Sequence, residues 1–336
     1  MPPPAVSVLM PVRNGARYLP EALRSIAGQT WPDYELVVVD DGSRDASREI
    51  IRRHAARDAR IRLIEREAEG IVAALNAGLS ACCAPLVARM DADDVMHPER
   101  LALQREAFVE TPDLSLCATD VCLFPVQATG AGMFEYVRWQ HGLTDTESIA
   151  ANMFWEAPFV HPSVMFARHQ VLAAGGYREG AFPEDYELWL RLHALGARFK
   201  RIAKPLLSWR QHRGSLSAND TRYSQAAFDS VRVHYLAAAL RHRQIQSVVV
   251  WGAGRRTRKR ALALLQENIS ISAWIDIDPR KIGQVLNNVP VHPPAWLQGR
   301  DVVVLGYVRA HGARALIAAE LDEMGFTAGL DYWPVG

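Results

Sequence analysis

Two groups of neighbouring carboxylates stand out in the sequence because of the chemistry that they could do. Asp91, Asp93 and Asp94 fall within one short segment, Met-Asp-Ala-Asp-Asp, and Glu184 and Asp185 are adjacent in Pro-Glu-Asp-Tyr. Clustered carboxylates supply the oxygen ligands that a hard cation such as Mg²⁺ prefers. A carboxylate held near a reacting hydroxyl can serve as a general base. A solvated turn and a capped helix start are the structural alternatives for the two groups.

The elements that must position these groups are readable from hydrophobic patterning. Val6–Val12, Glu35–Asp40 and Leu86–Met90 are nearly continuous apolar runs, which is typical of strands covered on both faces of a sheet. The segments between them have helical spacing, so the order of elements predicts an α/β fold with a mostly parallel central sheet. Since parallel strands end at one edge of a sheet, Asp41 and Asp91 should meet there. Residues 121–160 lack clear periodicity and predict irregular connections.

Composition narrows the function classes. The chain has 336 residues, long enough for two domains, and a net charge of only +1, which argues against nucleic acid as a partner. It has no apolar stretch of membrane-spanning length. The spacing of its four cysteines does not match a zinc site, so we expect buried free thiols and a cytoplasmic protein. Arg241-His242-Arg243 leaves peripheral contact with the inner face of the membrane open.

A second α/β unit begins near Ser247. Ser-Val-Val-Val-Trp predicts a strand, Gly252-Ala253-Gly254 a turn, and Asp276 follows the next strand, which approaches a dinucleotide-binding fingerprint. Thr257 stands where the third glycine belongs, so we expect no oxidoreductase activity and weak or no binding of NAD. Two roles stay open: a scaffold or a contact between copies of the chain, and the binding of a nucleotide or anion. The predicted domains are 1–220, a linker helix at 221–244 and a small Rossmann-like domain at 245–336.

Three segments carry a resemblance to a known family. They are VSVLMPVRNGARYLPEALRSIAGQTWPDYELVVVDDGSRDAS, MDADD and PEDYELWLR, in that order. Together they resemble the family 2 glycosyltransferases with a GT-A fold, over about residues 5–218. The resemblance implies an inverting transfer of a sugar from a nucleotide diphosphate donor, a UDP-sugar, to a hydroxyl group. The implied acceptor is a bacterial surface glycan or a lipid-linked glycan.

The resemblance also implies roles for the two carboxylate groups. Asp91-Ala92-Asp93 is similar to the D-x-D element, which holds Mg²⁺ or Mn²⁺ against the diphosphate of the donor. His212, in the Trp-Arg-Gln-His segment, is the expected third metal ligand beside Asp91 and Asp93. Glu184-Asp185 matches the Glu-Asp pair of the family, whose second residue is the catalytic base.

The rest of the implied donor site lies near the ends of the first two strands. Asp41 matches the position that accepts a hydrogen bond from a uracil-type base, and its structural alternative is a turn carboxylate. Asn76 lies in a segment similar to one near the donor, where packing of a helix by small residues is the alternative. Residues after the first strand line the nucleoside pocket in the family; here they are Pro11, Val12 and Arg13.

Two other functions are weighed against this one. A nucleotidyltransferase should have a first loop rich in glycine and lysine, and Pro-Val-Arg-Asn-Gly-Ala-Arg lacks that character. A regulatory protein that binds a nucleotide sugar or NAD would not need intact catalytic carboxylates. The presence of Asp91, Asp93 and Asp185 therefore favours an enzyme.

Overall fold

The computed structural model describes residues 3–310 and 312–336. The chain divides into two compact units. The first contains the described residues up to Thr146 together with Phe159–Thr221, and the second contains Glu147–Pro158 and Arg222–Gly336. The chain therefore passes through the second unit once, at residues 147–158, before it completes the first.

The first unit is built on an eight-stranded sheet with the order β3-β2-β1-β4-β7-β6-β8-β5. The four strands from β3 to β4 are parallel, and β7 joins β4 antiparallel. The predicted α/β fold with a mostly parallel sheet is confirmed. The strands are β1 (Val6–Val12), β2 (Tyr34–Asp41), β3 (Ile61–Arg66), β4 (Leu86–Arg89), β5 (Val95–Met96), β6 (Leu114–Phe124), β7 (Met165–Ala167) and β8 (Arg198–Arg210).

Helices cover this sheet through apolar faces. In the first helix, Leu19, Leu23 and Ile26 are buried at helical spacing. Gly78 allows another helix to lie directly on the sheet, because a Cβ there would come within 2.2 Å of Leu9 Cδ1. The helices that begin before residue 222 are α1 (Leu19–Ala27), α2 (Ser47–Ala55), α3 (Ile71–Ala81), α4 (Arg100–Glu110), α5 (Ala131–His141), α6 (Thr146–Asn152), α7 (Arg168–Ala173), α8 (Glu184–Ala194) and α9 (Leu216–Asn219), with 3₁₀ turns at Val126–Ala128, His161–Ser163 and Thr221–Tyr223. Of these, α6 belongs to the second unit apart from its first residue.

Residues 121–160 differ from the prediction of irregular connections, since they contain α5 and α6. The periodicity of α5 is weak because Val137 and Gln140 are its only buried residues. The cysteines also differ in part. All four are free as expected, but Cys83 and Cys122 are exposed, and only Cys82 and Cys117 are buried. Within the described residues, no helix combines the length and the apolar character that a bilayer span requires.

The second unit has a six-stranded sheet with the order β11-β12-β10-β9-β13-β14. Residues 147–158 belong to its packing: the amide of Gly336 donates to the carbonyl of Phe154 at 3.1 Å, and Gly329 lies against Ala151. Whether residues 1–220 and 245–336 are separate domains joined by a linker helix at 221–244 stays a prediction. The elements are α10 (Gln225–His242), β9 (Ser247–Trp251), α11 (Arg255–Ala261), β10 (Ser270–Ile275), β11 (Val285–Leu286), β12 (Val289–His292), β13 (Val304–Gly306), α12 (Ala313–Glu323) and β14 (Tyr332–Pro334), with 3₁₀ turns at Leu262–Glu267 and Pro294–Leu297.

Candidate active site

The carboxyl ends of β2, β1 and β4 lie side by side in the first unit. Val12 of β1 is in register with Asp40 of β2, and Leu9 of β1 with Arg89 of β4. The segments that follow these three strands therefore start at one edge of the sheet, where open α/β sheets bind ligands. Asp41, at the end of β2, and Asp91, just after β4, are at this edge because of that register.

Three carboxylates cluster in the loop after β4. Asp91, Asp93 and Asp94 each offer an oxygen, and these oxygens all lie within 4.8 Å of one another. Burial, and then the charges of its two acidic neighbours, raise the pKa of Asp94 well above its usual range. Burial also raises the pKa of Asp91, although the charge of Arg89 opposes that rise. The cluster thus gathers more negative charge than its surroundings balance.

Arg89 is a site residue that the sequence analysis missed. Its guanidinium is buried and forms an ion pair with Asp91. Among the described residues, its Nε has no hydrogen-bond partner. The only sequence signal for it is a single arginine inside the otherwise apolar run of β4. A buried arginine beside the acidic cluster opposes the rise in the pKa of Asp91 that burial causes, and it fixes the direction of the carboxylate.

Arg210, at the end of β8, holds the acidic loop from the other side. Its backbone amide donates to Oδ1 of Asp94 at 2.7 Å, and its Nε donates to the carbonyl of Asp93 at 2.6 Å. The guanidinium also lies over the rings of Tyr18 and Phe124, at 4.4 and 4.2 Å from their centroids. The antiparallel pairing of β5 with β8 brings these distant residues together.

His212 is in the same cluster. Its Nε2 lies 2.7 Å from Oδ2 of Asp93, and its Nδ1 accepts a hydrogen bond from the amide of Gly214 at 3.1 Å. A neutral imidazole has one donor nitrogen and one acceptor nitrogen. Since Nδ1 accepts, we assign the proton to Nε2, which then donates to Asp93. The structure therefore brings together all three predicted metal-site residues, Asp91, Asp93 and His212.

Glu184 and Asp185 form the first turn of α8, directly after Pro183. Oδ1 of Asp185 accepts a hydrogen bond from the amide of Tyr186 at 2.7 Å, so this carboxylate also serves the start of the helix. Burial and the neighbouring charge of Glu184 raise the pKa of Asp185 to about 7. The charge of Glu184 also contributes to the raised pKa of Asp91, so the two acidic groups belong to one electrostatic environment.

A buried polar chain supports the start of α8. Nδ1 of His161 lies 3.8 Å from Oε1 of Glu184, and its Nε2 lies 2.9 Å from the hydroxyl of Tyr177. Burial and the charge of Arg89 lower the pKa of His161 well below its usual value, so the imidazole is neutral at pH 7. The amide group of Asn76 exchanges hydrogen bonds with the backbone of Tyr177, at 2.8 and 2.9 Å. Asn76, which the sequence analysis placed with the donor, is here a partner of the Tyr177 backbone.

Asp41 fixes the turn that begins α3. Its Oδ1 accepts from the amides of Glu69 and Gly70 at 2.8 and 3.1 Å, and Gly70 has a φ of +97°. Its Oδ2 lies 3.5 Å from a guanidinium nitrogen of Arg13. The turn-carboxylate alternative thus describes part of what Asp41 does. Oδ2 also accepts from the amide of Gly70, at 3.1 Å, so each oxygen of Asp41 has two partners. The 3.5 Å contact of Oδ2 with Arg13 is the longest of the four, and it is the one that a ligand N–H would replace most easily.

The other predicted donor residues lie between Asp41 and the acidic loop. Pro11 and Val12 are buried at the end of β1, whereas the Arg13 side chain is about half exposed. A Cβ on Gly15 would lie 3.3 Å from Val12 Cγ1 and 3.4 Å from Ala92 Cβ. The first strand and the Asp-Ala-Asp segment therefore touch at Gly15, where a larger residue would press on both.

Comparison with known proteins adds independent evidence. The sequence model of Glycosyl transferase family 2 matches residues 7–175, half of the chain. The chain belongs to glycosyl transferase family 2. It is 30% identical to the amylovoran biosynthesis glycosyltransferase AmsE of Erwinia amylovora, over 70% of this chain and 86% of that protein. It is 28% identical to the O-antigen biosynthesis glycosyltransferase WbnJ of Escherichia coli, over 68% of this chain and 87% of that protein.

A solved structure supports the fold of this family 2 member. The crystal structure of Staphylococcus aureus TarS 1–349 in complex with UDP-GlcNAc superimposes with a TM-score of 0.53 at 18% identity, covering 78% of this chain and 72% of that chain. The resemblance to family 2 and the GT-A fold are confirmed, and the protein is a glycosyltransferase. The family match favours neither the nucleotidyltransferase nor the regulatory protein. It covers Asp41 and the Asp91–Asp94 loop but ends before Glu184 and Asp185.

Proposed function

We propose that this family 2 glycosyltransferase transfers a sugar from a UDP-sugar to a hydroxyl group with inversion at the anomeric carbon. The observation that carries the proposal is the convergence of Asp91, Asp93 and Asp94 at the sheet edge that also carries Asp41. The proposed acceptor is a bacterial surface glycan or its lipid-linked precursor. The names of AmsE and WbnJ, which refer to amylovoran and O-antigen biosynthesis, support that acceptor class.

The acidic loop fits Mg²⁺ or Mn²⁺. Oδ2 of Asp94 is buried without a hydrogen-bond partner among the described residues, and burial, followed by the charges of neighbouring carboxylates, raises the pKa of Asp91 and Asp94. A divalent cation would relieve both conditions, because hard cations favour carboxylate oxygens. We propose Asp91 and Asp93 as the ligands, with His212 as a third ligand or as the hydrogen-bond donor that orients Asp93. When bound, the metal would neutralise charge that develops on the departing diphosphate.

Asp185 is the proposed base. As the acceptor oxygen forms its bond to the anomeric carbon, the bond from that carbon to the diphosphate oxygen breaks, and the hydroxyl proton passes to a carboxylate oxygen of Asp185. A single displacement of this kind inverts the anomeric configuration. The pKa of about 7 suits the role, since proton transfer is most efficient when the base titrates near the working pH. Glu184 contributes by raising that pKa.

The nucleoside side of the site is proposed to lie between β1 and β2. Oδ2 of Asp41 would accept a hydrogen bond from an N–H group of the uracil ring. Arg13 is close enough to Asp41, at 3.5 Å, to contact the same base or its ribose through a planar guanidinium. Val12 and Ala92, which approach each other at Gly15, would supply walls together with Pro11 at the end of β1.

The proposal is tested by titrating the full-length protein with a panel of nucleotide sugars, with and without Mn²⁺, and by recording the melting temperature. A bound donor should raise the melting temperature by mass action. The anomeric configuration of the product, read by NMR, tests inversion. Asp91→Asn and Asp93→Asn, or treatment with EDTA, should abolish transfer while the circular dichroism spectrum is kept. Undiminished transfer by protein shown by elemental analysis to be free of metal would refute the metal-dependent mechanism.

A further inference from the structure

The short helix α11 of the second unit carries a dense set of cations. Five of the six residues from Arg255 to Arg260 are arginine or lysine. Arg260 is neutralised, because two of its nitrogens donate to the carboxylate of Asp229 at 2.8 Å. The other four cations have no ion pair with any described residue, and three of them are exposed on the surface; the four are Arg255, Arg256, Arg258 and Lys259.

The other basic segment of this unit is engaged. Arg241 pairs with Glu267 through its carboxylate at 3.3 Å and its carbonyl at 2.6 Å. Arg243 donates to the carbonyl of Leu330 at 2.6 Å and lies over the ring of Trp333. Both arginines of the Arg241-His242-Arg243 segment, which the sequence suggested for membrane contact, therefore bond within the second unit. The cations without an ion pair are on α11 instead.

Two exposed aliphatic side chains lie in segments next to α11. Ile277 is 72% exposed, and its loop is tied to the turn before α11 by the bond from the Ala253 amide to Oδ2 of Asp276, at 2.9 Å. Val285 is 67% exposed, and its hairpin is tied to α11 by the bond from Arg258 to Asn287, at 2.8 Å. Arg258 is held by Asn287, and its Nε is buried. We therefore call the surface made by the three exposed cations, Arg255, Arg256 and Lys259, with Ile277 and Val285 the basic face.

The groups around Asp276 do not favour a dinucleotide as the reason for this charge. Oδ1 of Asp276 accepts from the amide of Asp278 at 2.9 Å, and Oδ2 accepts from the amide of Ala253 and from Nζ of Lys281, both at 2.9 Å. The carboxylate that would have to receive a ribose hydroxyl thus already has three partners from its own chain, one of them the charged Lys281. Charge on α11 that serves no internal acid and no ribose is available for an external partner.

We propose that the basic face docks on an anionic phospholipid surface. The three exposed cations would contact headgroup phosphates, and Ile277 and Val285 would enter the headgroup region, where an apolar side chain next to cations is favourable. Aliphatic tips beside the charges fit a bilayer better than a nucleic acid, which would call for aromatic or polar side chains to meet bases. Docking would hold the enzyme at the surface where lipid-linked glycans occur. Docking does not require the proposed donor, metal or base.

The test measures flotation of the full-length protein with vesicles. Vesicles of phosphatidylcholine and phosphatidylglycerol should bind the protein at low salt and release it at high salt, and vesicles of phosphatidylcholine alone should not bind it. Each cation near an anionic surface contributes roughly fivefold to affinity, so Arg255→Gln with Arg256→Gln should weaken binding about 25-fold. The matched control replaces two exposed arginines of the first unit, Arg53→Gln with Arg57→Gln, and should leave binding nearly unchanged.

Ile277→Ser with Val285→Ser should also weaken binding to the phosphatidylglycerol vesicles, with no change in thermal melting. Equal binding to the two kinds of vesicle would overturn the proposal, as would an equal loss in the Arg53 and Arg57 control. Binding that survives the substitution of Ile277 and Val285 would do the same. Binding to single-stranded DNA or RNA without binding to vesicles would identify the basic face as a nucleic-acid surface and also overturn it. Donor-induced thermal shifts and sugar transfer measured on the same variants report separately on the proposed transferase function.

Discussion

The ring of His212 donates from Nε2 to Oδ2 of Asp93 at 2.7 Å while its Nδ1 accepts from the amide of Gly214. The imidazole is thus fixed from both sides, with its proton directed at a carboxylate of the acidic loop. Hydrogen-bond partners of metal ligands typically change metal affinity or activity by about 10–100-fold when they are removed. Substitution of His212 therefore tests whether it is itself a metal ligand or a group that orients Asp93.

For His212→Ala, we expect the concentration of Mn²⁺ that gives half-maximal activity to rise about 10–100-fold. His212→Gln should recover part of that loss if His212 orients Asp93, because a glutamine amide can still donate a hydrogen bond. Calorimetric titration of Mn²⁺ into each variant checks the result without relying on turnover. A glutamine variant as impaired as the alanine variant would indicate that the imidazole itself coordinates the metal.

Substitution of Asn76 tests whether this residue binds the donor, as the sequence suggested, or holds the backbone of Tyr177, as its contacts indicate. Its side chain pairs with both backbone groups of Tyr177, so Asn76→Ala leaves two polar groups without partners. We expect a loss of about 1–3 kcal/mol in the free energy of unfolding, measured by urea denaturation. The KM for the donor should change little. A large rise in donor KM with unchanged stability would instead support the donor-binding role that the sequence suggested.

The sequence predicted the parts of the site that follow strong local patterns. Long apolar runs gave β1, β2 and β4, and the acids directly after them had to lie at the edge of the sheet. Arg89 and the contacts of Arg210 were not predicted, because an arginine in a strand or at its end carries no periodic signal. Arg210 acts on Asp93 and Asp94, which the pairing of β5 with β8 brings close. Arg89 pairs with Asp91, only two residues away, and its importance depends on the burial of β4.

The division of the chain shows a second limit. Nothing in the composition of residues 147–158 separates them from their neighbours, yet they belong to the second unit. Membership there is decided by tertiary packing, such as the approach of Gly329 to Ala151, which is so close that a Cβ on Gly329 would lie 3.2 Å from Ala151 Cβ. Local patterning cannot register a contact between residues nearly 180 positions apart.

That division leads to a prediction about truncation. A chain that ends at residue 244 keeps α10 and residues 147–158 but loses the rest of their unit, including Arg260, the bidentate partner of Asp229. Leu236 and Leu240 of α10 are buried in the full chain, and the truncated chain keeps them while it loses most of the unit that contains them. We expect the truncated protein to aggregate or to melt at a lower temperature, as shown by size-exclusion chromatography and calorimetry. A monodisperse fragment with wild-type melting and transfer would contradict this expectation.

Asp185 has the most specific pH signature. Burial and Glu184 raise its pKa to about 7, so the carboxylate is mostly protonated below that pH and ionised above it. A base must be ionised to accept a proton, so kcat should rise with pH and level off above about 7. The same shift acts on stability in the opposite direction. Since the folded state holds this proton more tightly than the unfolded state, the contribution of Asp185 to stability falls as pH rises from the usual aspartate pKa towards 7.

Asp185→Asn separates the base from the helix-start role. Asparagine keeps a side-chain oxygen that can accept from the amide of Tyr186, but it cannot take up a proton. We expect kcat to fall by roughly 10²–10⁴-fold and its rise with pH to disappear, with donor affinity unchanged. At pH 8 the variant should melt no lower than the wild type, because it no longer holds a buried negative charge beside Glu184. If Asp185 only served the start of α8, turnover would be kept in Asp185→Asn and the pH profile would not change.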